Sequence, residues 1–350
     1  MRWATAVMLV LLVLTGPAKG MEVPGLDAVY DVAESYGVSG DAAASAVTVF
    51  QGVLDQLDGL IRATFGTVVR LLAVVLLCAL AQGLCPEWGK ERLQVVELAG
   101  VLGVTALTIN DMDVMIGLGR ETIGRMRDFS QLLLPVVATL TAATGQIGAA
   151  TARQGITVLF SEVLLSAING LLVPLVYAYV AVCCAYAAVG NEGLKRLAGM
   201  IRGAVTVALT GFVLVFVGYL SASGAIAGSA DAAAVKTAKL AISRTVPVVG
   251  GVLSDAAETV LVGAGVLKGS VGAVGALVVL AICLVPFLQL GLHYLAYKGV
   301  AVVTGIAADM RLCKLIDEVG SAFGLVLGMT GSCALILLVS LVSAITAVSV

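Results

Sequence analysis

Residues 269–297 read GSVGAVGALVVLAICLVPFLQLGLHYLAY. No Asp, Glu, Lys or Arg interrupts them, and His293 alone titrates near neutrality. A bilayer core of about 30 Å is crossed by roughly 20 apolar residues rising about 1.5 Å each, so this run is long enough to span. Backbone groups inside lipid must bond within their own segment, which makes the span a helix. A β-barrel strand would alternate apolar and polar side chains over about ten residues, and this run does not.

The same pattern recurs. Charge-free runs cover 129–152, 163–191, 203–230 and 319–350, and shorter candidates lie at 67–84 and 94–110, with Arg70 able to snorkel from a span's end. The whole chain has a mean hydropathy of +1.09 and only 12% charged residues, too few to coat a water-soluble domain of 350 residues. The predicted fold is therefore all-α: a polytopic helical membrane protein in contact with the lipid bilayer. With 20 basic and 22 acidic residues, the net charge of −2 predicts no nucleic-acid partner.

The N-terminus, residues 1–20, has the layout of a signal peptide: Arg2, a short apolar stretch AVMLVLLVL, then small residues near Ala18 and Gly20. The alternative is an uncleaved first span. Residues 21–66 follow as an exported acidic amphipathic segment carrying Asp27, Asp31, Glu34, Asp41, Asp55 and Asp58. Val49, Val53, Leu57 and Ile61 recur at helical spacing, so a helix should lead into the first span. Residues 67–128 are expected to form a membrane hairpin plus an interfacial helix, because Met112, Met115, Ile116, Ile123 and Met126 share one stripe of DMDVMIGLGRETIGRMRD (111–128). His293, near the end of its run, is expected at the interface.

Two further units, 129–230 and 231–350, are related by an offset. Pro135-Val136-Val137 corresponds to Pro247-Val248-Val249, and Leu172-Val173-Pro174 to Leu284-Val285-Pro286. Proline is rare, with seven in the chain, so the shared spacing suggests an internal repeat. If each unit crosses an odd number of times the halves are inverted, as in many transporters. Charge leaves the topology open. Lys195, Arg196 and Arg202 favour the cytoplasm, as do Lys236, Lys239 and Arg244, yet one span at 203–225 separates them. Either one basic loop is outside or a segment is re-entrant.

Within RTVPVVGGVLSDAAETVLVGAGVLKG (244–269), Asp255 and Glu258 stand at i and i+3 on one helical face. Each such charge costs about 2.5–3.5 kcal/mol at the bilayer centre, so neither should face lipid. They line a water-filled path, lie at the interface, or pair with Lys239, Arg244 or Lys268. At the equivalent position of the first unit stands Gln146. Pro135, Pro247, Gly250 and Gly251 supply breaks that let helices open or approach. Glu162 and Asn169 can line the same path or mark a loop. The seven cysteines form no CxxC or Cys/His ligand spacing, and one histidine builds no catalytic triad. No catalytic, metal or cofactor site is expected, and no enzyme.

Several of these residues carry a family resemblance. Thr237-Ala238-Lys239, Pro247-Val248-Val249-Gly250, Ser254-Asp255-Ala256, Glu258-Thr259-Val260, Lys268 and Gly272 resemble the signature region of stage III sporulation protein AE. LLLPVVATLTAATG (132–145) and VPFLQLGLHYLAYKGVAVV (285–303), with its Tyr297-Lys298 pair, resemble that family's Pro-led segment and late span. The chain departs after Gly148, where ATARQGI replaces a Phe-His-Pro-like stretch, and it ends in an apolar run without a polar tail. The resemblance implies a multipass protein of endospore formation, in the mother-cell membrane surrounding the forespore. Its implied partners are other subunits of the stage III sporulation complex: membrane subunits, a cytoplasmic ATPase and ring-forming subunits. That assembly is a channel or secretion-like complex. Such a subunit could conduct or gate small solutes, or act only as a scaffold. A stand-alone secondary transporter is the third reading.

Overall fold

The computed structural model describes residues 25–38, 42–84, 90–143, 149–222, 270–307 and 310–346, and all secondary structure among them is helical. The helices are α1 (Leu26–Ser35), α2 (Ala42–Leu84), α3 (Lys90–Ala143), α4 (Ala149–Ala167), α5 (Val173–Val189), α6 (Glu192–Ala222), α7 (Ser270–Ala307) and α8 (Met310–Thr346). Six stretches among them are long and apolar enough to cross a bilayer: 44–81, 98–137, 159–189, 192–220, 271–306 and 311–342.

α8 is the shaft of the bundle. Residues 319–341 are all buried. Their sequence, VGSAFGLVLGMTGSCALILLVSL, is apolar or small on every side, and a helix without a polar face is stable only when enclosed. The small residues also let neighbours approach closely. Gly320 is packed against Tyr297 and Lys298 of α7, where a Cβ would sit 3.1 Å from the Tyr297 Cβ. A Cβ on Gly275 of α7 would meet Leu133 of α3 at 2.7 Å and Leu341 of α8 at 3.2 Å.

These contacts set the direction of each helix along the shaft. α3 runs parallel to α8: Gly100 lies beside Leu312, Gly119 beside Val326, and Leu133 joins Leu341 at Gly275. α7 runs antiparallel, with Tyr297 near Gly320, Phe287 near Gly331 and Gly275 near Leu341. Ser161 of α4 meets Ser340 (2.6 Å), and Tyr179 of α5 bonds Glu318, so α4 and α5 descend together. α6 climbs again, from Arg202 beside Glu318 to Phe216 stacked on Phe160 of α4. Loop 190–191 closes α5 with Gly190 at φ +74, its N–H bonded to Tyr186 O (2.7 Å), a conformation that favours glycine. The Arg311 guanidinium lies over that glycine.

One end of the bundle therefore gathers Lys195, Arg196 and Arg202 with Arg311 and Lys314. We call it the basic end. α6 leads away from it and α7 starts at the opposite, far end. The helices flanking 223–269 thus end far from the basic start of α6 (192–203), and 231–244 lies outside the described residues. α5 and α7, paired by the expected duplication, both run toward the basic end, while α6 and the matching part of α8 both run away from it.

Some expectations take a different form. The 111–128 stripe does not make a separate interfacial helix: it continues without a break in α3, a helix of 54 residues, about 80 Å long. Its apolar stripe is buried against the bundle core, with Met112 and Met115 at 3% exposure and Ile116, Ile123 and Met126 at 0%. Periodicity marks an apolar face and cannot say whether lipid or protein covers it. His293 is buried rather than interfacial, Nδ1 2.9 Å from Gln289 O and the ring edge-on to Phe323. Arg70 bonds locally, to Gly66 O (3.2 Å) and Thr67 Oγ1 (3.4 Å). The helix expected to lead into the first span does so: both lie in α2.

Between α4 and α5, residues Ile168–Leu172 form a π-helical turn, closed by the Val173 N–H on Ile168 O. Pro174 follows directly. Its ring has no N–H and would clash with the carbonyl four residues back, and a widened turn accommodates it without breaking the helix.

Candidate functional site

The polar side chains of the interior converge near the basic end, around Asp317 and Glu318 of α8. Lys298 of α7 donates to Asp317 Oδ1 (2.6 Å), Asp317 O (3.1 Å) and Ser321 Oγ (2.9 Å). Ser321 in turn donates to Asp317 O at 3.0 Å. On the other side of α8, Tyr179 of α5 donates to the Glu318 carboxylate, and Arg202 of α6 pairs with the same oxygen at 3.3 Å. Tyr297, one residue before Lys298, lays its ring along α8 and donates its hydroxyl to Asp111 of α3 at 2.9 Å. Its ring packs edge-on against Phe323 at 4.9 Å.

The result is a polar belt that ties α3, α5, α6 and α7 to the shaft. Three acids (Asp111, Asp317, Glu318) face two cations (Lys298, Arg202) and two phenols. Tyr179 and Tyr297 are fully buried. Interior charges are stable only when hydrogen-bonded to partners, and each carboxylate here has at least one donor. Adjacent residues on a helix point about 100° apart, so Tyr297 and Lys298 reach two different helices. Chemically the belt can fix register between helices. Among the described residues no group of three or more His, Cys, Asp or Glu side chains could hold a metal.

The model of the family described as stage III sporulation protein AE matches residues 30–349. The chain belongs to the stage III sporulation protein AE family. A relative described as stage III sporulation protein AE, from Bacillus subtilis (strain 168), is 23% identical over 278 residues, covering 79% of this chain and 70% of that protein. No solved structure matches the chain. This family member is accordingly a sporulation protein of the membrane.

The residues singled out from the sequence fare unevenly in this family member. Asp255, Glu258, Gln146, Pro247, Gly250 and Gly251 lie outside the described residues. Pro135 is an exposed residue inside α3. Glu162 is engaged by α3: Arg127 Nε reaches its carboxylate at 2.5 Å and Gln131 Nε2 at 2.8 Å. Asn169 sits in the π-helical turn, its Oδ1 buried with no hydrogen-bond partner in the structure.

Sequence reading passed over Asp111, Asp317, Glu318 and Tyr179. The signal was present: acids and phenols close to or inside apolar runs, each at the price of desolvation. Their partners lie up to 186 residues away, so pairing was illegible. Tyr297→Phe removes the Asp111 donor and should lower stability by about 1–1.5 kcal/mol. Denaturant unfolding in mixed micelles measures this; an unchanged midpoint would show that Asp111 needs no donor there.

Proposed function

We propose that this chain is a multipass subunit of the channel-like complex joining mother cell and forespore during endospore formation, and that it gates small solutes there. Membership in the sporulation family supports the setting. The observation that carries the gating role is a shared location. α3 ends at Ala143 and α4 begins at Ala149, while α6 ends at Ala222 and α7 begins at Ser270. All four helix ends belong to the far end of the bundle. Gln146 lies in the sequence between the first two of these helix ends, and Asp255 and Glu258 between the other two. An acid in so apolar a stretch needs water or a counter-charge.

By the positive-inside rule the basic end faces the mother-cell cytoplasm, where a cytoplasmic ATPase subunit would dock. The far end, with α1 and its Asp27, Asp31 and Glu34, faces the space between the two membranes, toward ring-forming and other membrane subunits. The test is the double variant Asp255→Asn with Glu258→Gln in sporulating cells. Forespore reporter activity should fall by about tenfold or more while the complex still assembles, because a neutral pair no longer solvates passing ions.

A second reading, a non-conducting scaffold, is favoured by the enclosure of α8, whose residues 319–341 are all buried by this chain's own helices. Normal forespore activity and normal co-purification of partner subunits with the double variant would remove the gating role and leave the scaffold.

A further inference from the structure

The outer surface of α4 to α6 is apolar where it lies level with the shaft. On α4 to α6 the exposed side chains there include Leu159 (67%), Val163, Leu171, Val207 (73%) and Leu214. Their depth is fixed by neighbours: Ser161 meets Ser340, Phe160 stacks on Phe216, and Tyr179 and Arg202 meet Glu318. This surface therefore spans the levels of residues 318 to 340 of the shaft.

α3 crosses the same levels with a different face. Asp111 is held at the lower level by Tyr297, and Arg127 at the upper level by Glu162, next to Ser161. Between them Asp113, Arg120, Glu121 and Arg125 are exposed, as is Asp128 just beyond. Arg125 and Glu121 pair at 2.6 Å with side chains 56% and 61% exposed, a solvated geometry. The opposite stripe of this helix, Met112 to Met126, is buried, so the charged face is the outward one. Charged side chains at this depth do not face acyl chains. At the far end the charged surface runs on to α1, which packs along α3 (Gly25 against Val136) and exposes Asp27, Asp31 and Glu34.

We infer that the outer face of α3 from Asp113 to Asp128 is a water-lined wall at bilayer depth, open to the far end and suited to small hydrated solutes. The aqueous space lies outside this bundle, between it and its neighbours in the membrane, and not along α8. Mixed charge on the wall suits solutes of either sign. The inference is independent of the gating role given to Asp255 and Glu258.

Glycines allow the test without loss of charge. Gly117 and Gly124 lie on this face, one turn or less from Asp113, Arg120, Glu121, Arg125 and Asp128, and a Cβ at either meets nothing within 4 Å. Gly170 and Gly211, on the apolar side, are equally open. Single variants Gly117→Cys, Gly124→Cys, Gly170→Cys and Gly211→Cys are placed in the full chain with its seven native cysteines replaced by alanine. Membranes open on both sides are treated with a membrane-impermeant maleimide. Water ionises a thiol and lipid does not, so positions 117 and 124 should react roughly tenfold or more faster than 170 and 211. Rates at 117 and 124 no higher than at 170 and 211 overturn the inference. A bimane label at position 124 gives a second readout: quenching by aqueous iodide agrees with the inference, and quenching by spin-labelled lipid alone contradicts it.

Discussion

Glu318→Leu is expected to destabilise the bundle by about 2–3 kcal/mol, the largest loss from any single change in the belt. The substitution strands two groups together. Arg202 loses its counter-charge, and the buried Tyr179 hydroxyl keeps only the Glu318 backbone carbonyl, at 3.3 Å. Breaking a fully buried pair costs about 3–5 kcal/mol, but these side chains retain 31% and 38% exposure, which lowers the figure. Adding Arg202→Leu removes the orphan cation and should restore about 1 kcal/mol or more, since an apolar pair is tolerated where a lone charge is not. Unfolding in mixed micelles across the four-member cycle measures the coupling. Additive losses would show that Arg202 and Glu318 act separately and that the belt is not a unit.

Gly119→Leu should be at least as damaging, with a loss of about 3 kcal/mol or a failure of α3 to dock. A Cβ at Gly119 would overlap Val326 Cγ1 of the shaft. Valine has little χ1 freedom in a helix, so the two backbones must separate instead of the side chain turning away. Gly119→Ala alone should cost about 1–3 kcal/mol, and Val326→Ala introduced with it should recover most of that. Gly124→Ala, on the open face of the same helix, should be neutral within about 1 kcal/mol, because its Cβ meets nothing. Protease resistance and thermal unfolding of the detergent-solubilised chain distinguish these variants. Equal losses at 119 and 124 would mean that backbone propensity, not helix contact, sets the cost.

Much of the architecture was legible from composition because the bilayer imposes a coarse code. A run such as 269–297 cannot be anything but a span or a core helix, and α7 occupies 270–307. The 319–350 run likewise became α8. Boundaries drawn from charge were less telling. Residues 111–128 interrupt the apolar pattern of α3 without interrupting the helix, since charged residues are good helix formers and only their environment changes. Asn169 could be read as marking a loop, but not as part of a π-helical turn in a continuing helix.

The family resemblance read from Tyr297-Lys298 and its neighbours agrees with the family model over 30–349. The roles of those two residues could not be read, because sequence gives no direction to a side chain. Tyr297 turned to α3 and Lys298 to α8.

By itself, then, the sequence determined that this chain is a helical membrane protein of the sporulation family, since hydrophobic run length against bilayer thickness and a shared motif are both local properties. Tertiary structure alone decided which helix became the enclosed shaft, which acids found cations, and that α3 turns its charges outward at a depth where other faces are apolar. The apolar faces at that depth are those of α4 to α6, while α2 carries the exposed Arg62–Asp58 pair. Those are matters of which surfaces meet, and burial energy depends on the partner that covers a face as much as on the residues that form it.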